Sequence, residues 1–474
     1  MAAEKTYDVV VIGAGSTGEN VAERSVRGGL TAALVEAELV GGECSYWACM
    51  PSKALLRGPE VVGAARAVKG AAAAVTGELG VAATLERRNG FTSNWDDASQ
   101  VKWATGKNID VVRGRGRLDG EKTVRVEVEN GGDLVLHANH AVVVCTGSQA
   151  SLPPVDGLAD ARPWTAREAT SAKEIPGRLA VLGGGVVGCE MATAYSALGA
   201  TVTLIEVLPS LLAANEPFAG EAVAAALRDA GVDVRIGAEV SRVSRAGDGS
   251  TTLHLADGAV TADALLVAAG RRAGLDSLGL DSVGIAPQKW LPVDDTGAVD
   301  GLDWLYAAGD VTGRALLTHM GKYAARACGD AIVARARGES VDPHAVWSPY
   351  TATADHHAVP AVTFTDPQVA SVGRTEKAAR DEGLAIRTVE YDLGNIAGAA
   401  VRADGYAGKA KLVIDDGRDV ILGATFVGPD VGELLHAATI AVVGEVPLDR
   451  LWHAVPSYPT VSEVWLRLLE SDGR

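Results

Sequence analysis

Apolar residues in this chain fall into short β-branched runs, each followed by a glycine-rich turn and a helix-like stretch, the alternation expected of strand-helix units. Residues 7–12 form the first run, Gly13-Ala14-Gly15-Ser16-Thr17-Gly18 the turn, and residues 32–35 a second run closed by Glu36. The spacing predicts a βαβ unit. Residues 179–182 begin the same pattern again, with Gly183-Gly184-Gly185-Val186-Val187-Gly188, a helix over 189–198 and a strand over 201–205 closed by Glu206. Glu206 follows Gly183 at the interval by which Glu36 follows Gly13, so the two segments are an internal duplication.

One such turn is weak evidence in a glycine-rich chain. Two in the same strand-turn-helix-strand setting, with the same interval to a carboxylate, point strongly to two dinucleotide sites. The glycines (13, 15 and 18; 183, 185 and 188) permit a tight turn, close approach of backbone to pyrophosphate and close helix-strand packing, while the helix N-terminus offers N–H groups to phosphate. Glu36 and Glu206 are the expected acceptors for ribose hydroxyls.

Further along, residues 141–144 read as a strand closed by Cys145-Thr146-Gly147-Ser148 and the Pro153-Pro154 turn, and residues 54–105 as alanine-rich helix and linker. Residues 264–270 read as a strand ending at Gly270 before Arg271-Arg272, and residues 305–310 as a strand with Asp310 at its exit. From Pro360 the pattern changes to alternating strands over 361–364, 409–414 and 421–427, which predicts a separate α+β module.

Composition narrows the partners. The 474 residues allow about three domains. With 43 Lys+Arg against 60 Asp+Glu the formal charge is -17, which argues against a nucleic-acid footprint or a polybasic membrane patch. Residues 1–7 hold no apolar signal segment, and apolar stretches break well short of a spanning helix, so a cytoplasmic location is expected. The 5 cysteines fit a reducing compartment with one dedicated redox pair better than a secreted disulfide framework.

That pair lies in Gly41-Gly42-Glu43-Cys44-Ser45-Tyr46-Trp47-Ala48-Cys49-Met50-Pro51-Ser52-Lys53, shortly after Glu36. Pro51 is expected to open a helix that continues through Lys53, and a thiol just upstream would feel the positive field of that N-terminus, which favours thiolate. A disulfide needs Cα atoms within about 7 Å, which an unbroken helix over this spacing does not allow, so loop or distorted backbone is expected over 44–49. Cys145, Cys189 and Cys328 are isolated, show no metal-ligand spacing and read as packing residues.

These ordered motifs, together with Glu190 after the second turn, Gly309-Asp310 and the stretch Val359 to Pro367, make the chain resemble the FAD-dependent pyridine nucleotide-disulfide oxidoreductases, the group of dihydrolipoamide dehydrogenase, glutathione reductase and mercuric reductase. The resemblance runs essentially end to end. It implies an α/β fold with two Rossmann-like dinucleotide-binding domains plus a C-terminal α+β dimerisation domain. The expected boundaries are 1–150 with 270–345 for FAD, 151–269 for the nicotinamide nucleotide and 346–474 for the interface. By the same resemblance, FAD sits on Gly13, Gly15, Gly18, Glu36, Thr146, Gly147 and Asp310, and NAD(H) on Gly183, Gly185, Gly188, Glu206 and Gly270. Cys49 would face the flavin, Cys44 would exchange with substrate, and Lys53 with Glu190 would form an ion pair beside the isoalloxazine. NADH is expected over NADPH, because Glu206 would repel a 2′-phosphate and residues 207–227 contain no Lys or Arg.

The C-terminal signature differs from the group's usual pattern. Where most members carry a His-Pro pair from the partner subunit, with Glu five residues after the His, this chain has Tyr458-Pro459 and Glu463; His453 lies out of register. An ordinary phenol titrates near 10 and is a poor base at pH 7, whereas imidazole titrates near neutrality. The chain also ends without the C-terminal cysteine pair of mercuric reductase, and Tyr46 and Trp47 place bulky aromatics beside the disulfide, at the expected substrate entrance. The reading favoured is a homodimeric NAD(P)H-dependent flavoprotein reductase with an active disulfide and a small-molecule acceptor: disulfide, quinone, metal ion or specialised metabolite. The alternatives are a dihydrolipoamide dehydrogenase-like enzyme with a replaced base, and a redox-sensing flavoprotein without turnover.

Overall fold

The computed structural model describes residues 3–128 and 131–474. Its packing divides into two compact units, one made of Met1–Met50, Asn89–Ala150 and Arg271–His356, the other of Pro51–Arg88, Ser151–Gly270 and His357–Arg474.

The first unit is built on a 7-stranded sheet. Strands Ile109–Arg113, Ala32–Glu36, Ala3–Ile12 and Asp133–Val144 lie side by side in parallel, Leu305–Ala307 pairs in parallel with Asp133–Val144, and Thr123–Glu127 and Arg115–Leu118 continue the sheet antiparallel. Parallel strands covered on both faces must be apolar throughout. Val9, Val10 and Val11 are accordingly fully buried, as are Val142, Val143 and Val144. Their side chains alternate between two cores: Val10, Ile12, Ala33 and Val35 face one, while Val9, Val11, Ala32 and Leu34 face the other with Val21 and Ile332 from helices Ser16–Arg27 and Thr318–Ala336. The register sets Ile12 against Val35 and Val144, so Gly13, Glu36 and Cys145 leave the sheet at one edge, the edge where such sheets bind ligands.

The second unit repeats that design in smaller form. Strands Asp233–Ile236, Thr201–Glu206, Arg178–Leu182 and Ala264–Val267 form a parallel sheet in that order, and an antiparallel sheet of Val240–Arg245, Thr251–Leu255 and Gly258–Ala262 shares a core with it. The C-terminal module is a 5-stranded antiparallel sheet, Pro360–Thr363, Gln368–Gly373, Val420–Gly428, Lys409–Asp415 and Ile386–Asp392. Its helices Leu435–Val443 and Val464–Ser471 cover an apolar core that includes Phe426, Leu412 and Leu468. Two Rossmann-like units and an α+β module are therefore present, as the sequence predicts. The stretch 54–105 is helical over Val81–Phe91 and Ala98–Gly106, and Arg88 within it is buried, its guanidinium donating to the Thr170 and Ala172 carbonyls.

Candidate active site

The first glycine turn has the geometry its sequence predicts. Gly13 has φ +101°, and a Cβ there would lie 2.4 Å from the Cys145 carbonyl oxygen; a Cβ on Gly18 would lie 2.0 Å from the Gly13 oxygen. The second turn matches it, with Gly183 at φ +114° against the Ala268 oxygen and Gly188 against the Gly183 oxygen. Both following helices, Ser16–Arg27 and Val186–Ala197, start at a glycine with no side-chain cap bond. Their first N–H groups are positioned for phosphate.

Glu36 and Glu206 also correspond. Glu36 accepts from Ala14 N and Glu38 N at 2.7 Å each, and Glu206 from Gly184 N at 2.5 Å and Leu208 N at 2.7 Å. Each carboxylate thus first locks its own turn, and its remaining lone pairs are free for ribose hydroxyls. Burial raises the Glu36 carboxyl above its ordinary range. Other features at the first turn fit a polar cofactor. Thr146 Oγ1 and Glu19 Oε1 are buried with no hydrogen-bond partner, and burial pushes the Glu19 carboxyl up to about 7. Glu19 carried no motif in the sequence; only the fold buries it.

The redox segment is fastened to this turn. Gly41 N donates to Ala14 O at 2.8 Å and Gly15 pairs with Gly41 as an isolated bridge. Cys44 lies on the short helix Gly42–Tyr46, the backbone breaks at Trp47 (φ -137°, ψ 0°), and Cys49 begins the helix Cys49–Arg66. The helix therefore opens at Cys49 and not at Pro51, which still falls in the first turn, where its missing N–H costs nothing. That break brings the cysteines near each other, both as free thiols. Cys49 Sγ lies 3.2 Å from Thr318 Oγ1.

The thiolate expectation concerns Cys49, at the start of the helix; Cys44, one short helix earlier, is in a different environment. The neighbouring Cys49, then burial, hold the Cys44 thiol well above the usual thiol range, while Thr318 and Lys322 act in the opposite sense. Tyr46 departs from expectation. It is buried, with its hydroxyl donating to Val40 O at 3.1 Å, so it braces the segment from inside and does not line an entrance; Trp47 packs against it at 5.7 Å and is half-buried. Burial raises Cys145 and Cys189 to about 12 and Cys328 well above the ordinary value, consistent with packing roles.

In the second unit Lys53 and Glu190 meet. Lys53 Nζ donates to Glu190 Oε2 at 2.7 Å, Glu190 Oε1 accepts from Phe364 N at 2.9 Å, and Lys53 lies 4.8 Å from the Phe364 ring centre. Glu190 is nearly inaccessible, 4% against 35% for the lysine side chain. Gly270, at φ +122°, has open space where a side chain would point. The C-terminal residues are placed differently: Tyr458 is 75% exposed and His453 is exposed, whereas Glu463 is buried, with Oε1 accepting from Arg467 at 2.6 Å and Oε2 unpartnered.

In the first unit Asp310 accepts from Ser148 Oγ at 2.6 Å, and burial raises its carboxyl above the ordinary range. The sequence pattern singles out Asp310 but not Ser148 and Arg271, which contact it, Thr318, which contacts Cys49, or Glu43, which pairs with Arg271; the positions of Ser148, Arg271 and Glu43 beside Gly147, Gly270 and Cys44 are the available signal. Among the described residues no cluster of His, Cys, Asp and Glu could hold a resident metal, and no helix is long and apolar enough to cross a membrane.

Residues 7–336 match the family model of the pyridine nucleotide-disulphide oxidoreductases, and residues 359–468 match that family's dimerisation domain. The chain is 32% identical over 463 residues to mercuric reductase of Shigella flexneri, covering 96% of this chain and 79% of that protein. It is 31% identical over 466 residues to dihydrolipoyl dehydrogenase of Chlamydia trachomatis, covering 97% and 96%. Among solved structures, the Cu(II) complex of the HOCl-induced flavoprotein disulfide reductase RclA from Escherichia coli superposes with a TM-score of 0.84 at 26% identity, covering 98% of this chain and 99% of that one.

Proposed function

We propose, for a chain that belongs to the pyridine nucleotide-disulphide oxidoreductase family, that it passes a hydride from NADH through FAD to a Cys44-Cys49 disulfide and on to a small-molecule acceptor. The family consists of FAD-dependent enzymes that use NAD(P)H. The observation that carries this reading is the proximity of Cys44 and Cys49 on a segment fastened to the first glycine turn. FAD bound there supplies the two-electron link between nicotinamide and disulfide.

The protein's own groups have separate tasks. Gly13, Gly15, Gly18 and Glu36 hold the first nucleotide, with Thr146, Gly147 and Asp310 toward its inner part. Lys53, held by Glu190, keeps a cation at the base of the redox helix, where it offsets negative charge that develops on reduction. Cleavage of the S–S bond by the hydride equivalent would leave a thiolate at Cys49 and a thiol at Cys44, the sulfur that meets the acceptor and exchanges with it once deprotonated. Stopped-flow mixing with NADH tests the scheme. Rapid bleaching of the flavin followed by acceptor turnover supports an enzyme, and bleaching without turnover by any acceptor supports the sensor reading.

Specificity for NADH rests on the second turn. Glu206 is fixed by two backbone bonds, and the positions beyond it, Val207 and Leu208, are exposed and apolar, so a 2′-phosphate would meet a carboxylate, with no Lys or Arg supplied by residues 207–227. At matched concentrations NADH is expected to reduce the flavin at least about tenfold faster than NADPH, a difference of about 1.4 kcal/mol. Equal rates would remove this assignment.

A second reading of the acceptor is a soft metal ion, and one observation favours it: similar proteins include a mercuric reductase and a reductase crystallised as a Cu(II) complex. Paired thiolates suit such ions. Turnover of NADH with Cu(II), with a disulfide and with a quinone, each against the Cys44→Ser variant, separates the classes. The dimerisation domain supports a homodimer. In this reading Tyr458 and Glu463 of one chain complete the site of the other, and the exposed Val455 and Tyr458 are covered there.

A further inference from the structure

Arg271 links two carboxylates of the first unit. Its Nη2 donates to Glu43 Oε2 and, at 2.7 Å, to the Ser148 carbonyl, while its Nε donates to Ser148 Oγ at 2.6 Å. Ser148 in turn donates its hydroxyl to Asp310 Oδ2 at 2.6 Å. The bonds run in one direction, from the guanidinium through the serine to Asp310, and antiparallel pairing of Arg271–Ala273 with Ser148–Ala150 holds the middle of the chain in place. Glu43 is the residue before Cys44 on the helix Gly42–Tyr46. One cation therefore bridges the helix that carries the exchanging thiol and the carboxylate assigned to the flavin.

This contact differs from an ordinary surface ion pair. The side chains of Arg271 and Glu43 are only 22% and 26% exposed, so solvent screens them weakly, and the arginine is forked over two further acceptors. The groups facing Asp310 also influence one another. Burial raises the Asp310 carboxyl, Ser148 and Arg271 lower it, and Glu43 raises it again. Glu43 and Asp310 compete for one guanidinium.

We propose that Glu43 and Arg271 are positioning residues that tie the Cys44-bearing helix to Asp310 and, through Asp310, to the ribityl chain of FAD. The inference rests on the FAD assignment of the first site. It predicts effects of opposite sign from the two ends of one ion pair. Removing the charge of Glu43 leaves Arg271 to Asp310 and favours its ionised form; removing the charge of Arg271 does the reverse. An ionised Asp310 would accept hydroxyl hydrogen bonds more strongly than the protonated acid, so FAD would be held more tightly above its titration and more weakly as pH falls through it.

The test is acid titration of the full-chain holoenzyme, with FAD release read as flavin fluorescence, beside the rate of iodoacetamide labelling at Cys44 in dithiothreitol-reduced protein. Glu43→Gln is expected to move the midpoint of FAD release to lower pH and to label Cys44 severalfold faster, because the helix loses its ion pair to Arg271. Arg271→Gln is expected to move the midpoint to higher pH, and Arg271→Lys, which keeps the charge, to return it toward wild type. If Glu43→Gln does not fold, Glu43→Ala carries the same expectation, and Glu43→Asp, which keeps the charge, should hold the wild-type midpoint. Wild-type midpoints in both charge-removing variants, or shifts of both in the same direction, overturn the inference. A wild-type protein that holds no FAD at any pH removes the cofactor assignment itself, which is a different result.

Discussion

Cys49→Ser is expected to abolish acceptor turnover, by a factor on the order of 10³ or more, while NADH still reduces the flavin at close to the wild-type rate. The two half-reactions separate because the nicotinamide delivers its hydride without either sulfur, whereas no electron pair can leave through a disulfide that cannot form. Cys44→Ser should stop turnover to the same extent. The two variants are nevertheless expected to differ in colour. In the structure Cys44 and Cys49 lie near each other, and the neighbouring Cys49 and burial raise the Cys44 thiol. Cys49 lies next to Thr318 Oγ1 at 3.2 Å and at the start of the helix Cys49–Arg66, whose N-terminus favours negative charge on it. Cys44→Ser should therefore show long-wavelength charge-transfer absorbance even before reduction, and Cys49→Ser should lose it after reduction. Two variants with wild-type spectra and turnover would make the pair structural.

Tyr458→Phe is expected to slow reoxidation by the acceptor roughly 10² to 10⁴-fold, the usual contribution of a direct acid or base, and to leave NADH-to-flavin transfer nearly unchanged. The phenol donates a proton at neutral pH but does not readily take one, which suits an acceptor that must be protonated as it is reduced. Its exposure in the single chain leaves the hydroxyl accessible to a second subunit. If the tyrosine only packs at the dimer seam, the phenylalanine variant turns over normally. Tyr458→His gives the sharper contrast. Glu463 is buried with Oε2 unpartnered, so it can orient an introduced imidazole as a carboxylate orients a catalytic histidine. Dihydrolipoamide oxidation should then rise. With Tyr46 turned into the core and bonded to Val40 O, the absence of a gain would direct attention to Trp47 as the residue that limits acceptor choice.

The sequence by itself determined the features whose causes are local. Strand runs, the glycine turns and their carboxylates lie within one βαβ unit, so the same short stretch that specifies each feature also contains its partners: Glu36 binds Ala14 N, and Glu206 binds Gly184 N, across a single strand-helix-strand passage. The proximity of Cys44 and Cys49 was legible for the same reason, since only a backbone break between them allows contact, and Trp47 supplies it. The Lys53-Glu190 pair was reached through a family resemblance, because nothing local in either segment names the other. Only the tertiary structure decided the direction in which Tyr46 packs, the burial of Glu19 and Arg88, and the chain from Glu43 through Arg271 and Ser148 to Asp310. Those partners come from segments far apart in the chain, and the cost of burying a charged or polar group depends on which of them the fold brings within hydrogen-bonding distance. Periodicity reports which face of an element is buried; it carries no record of what waits on the other side.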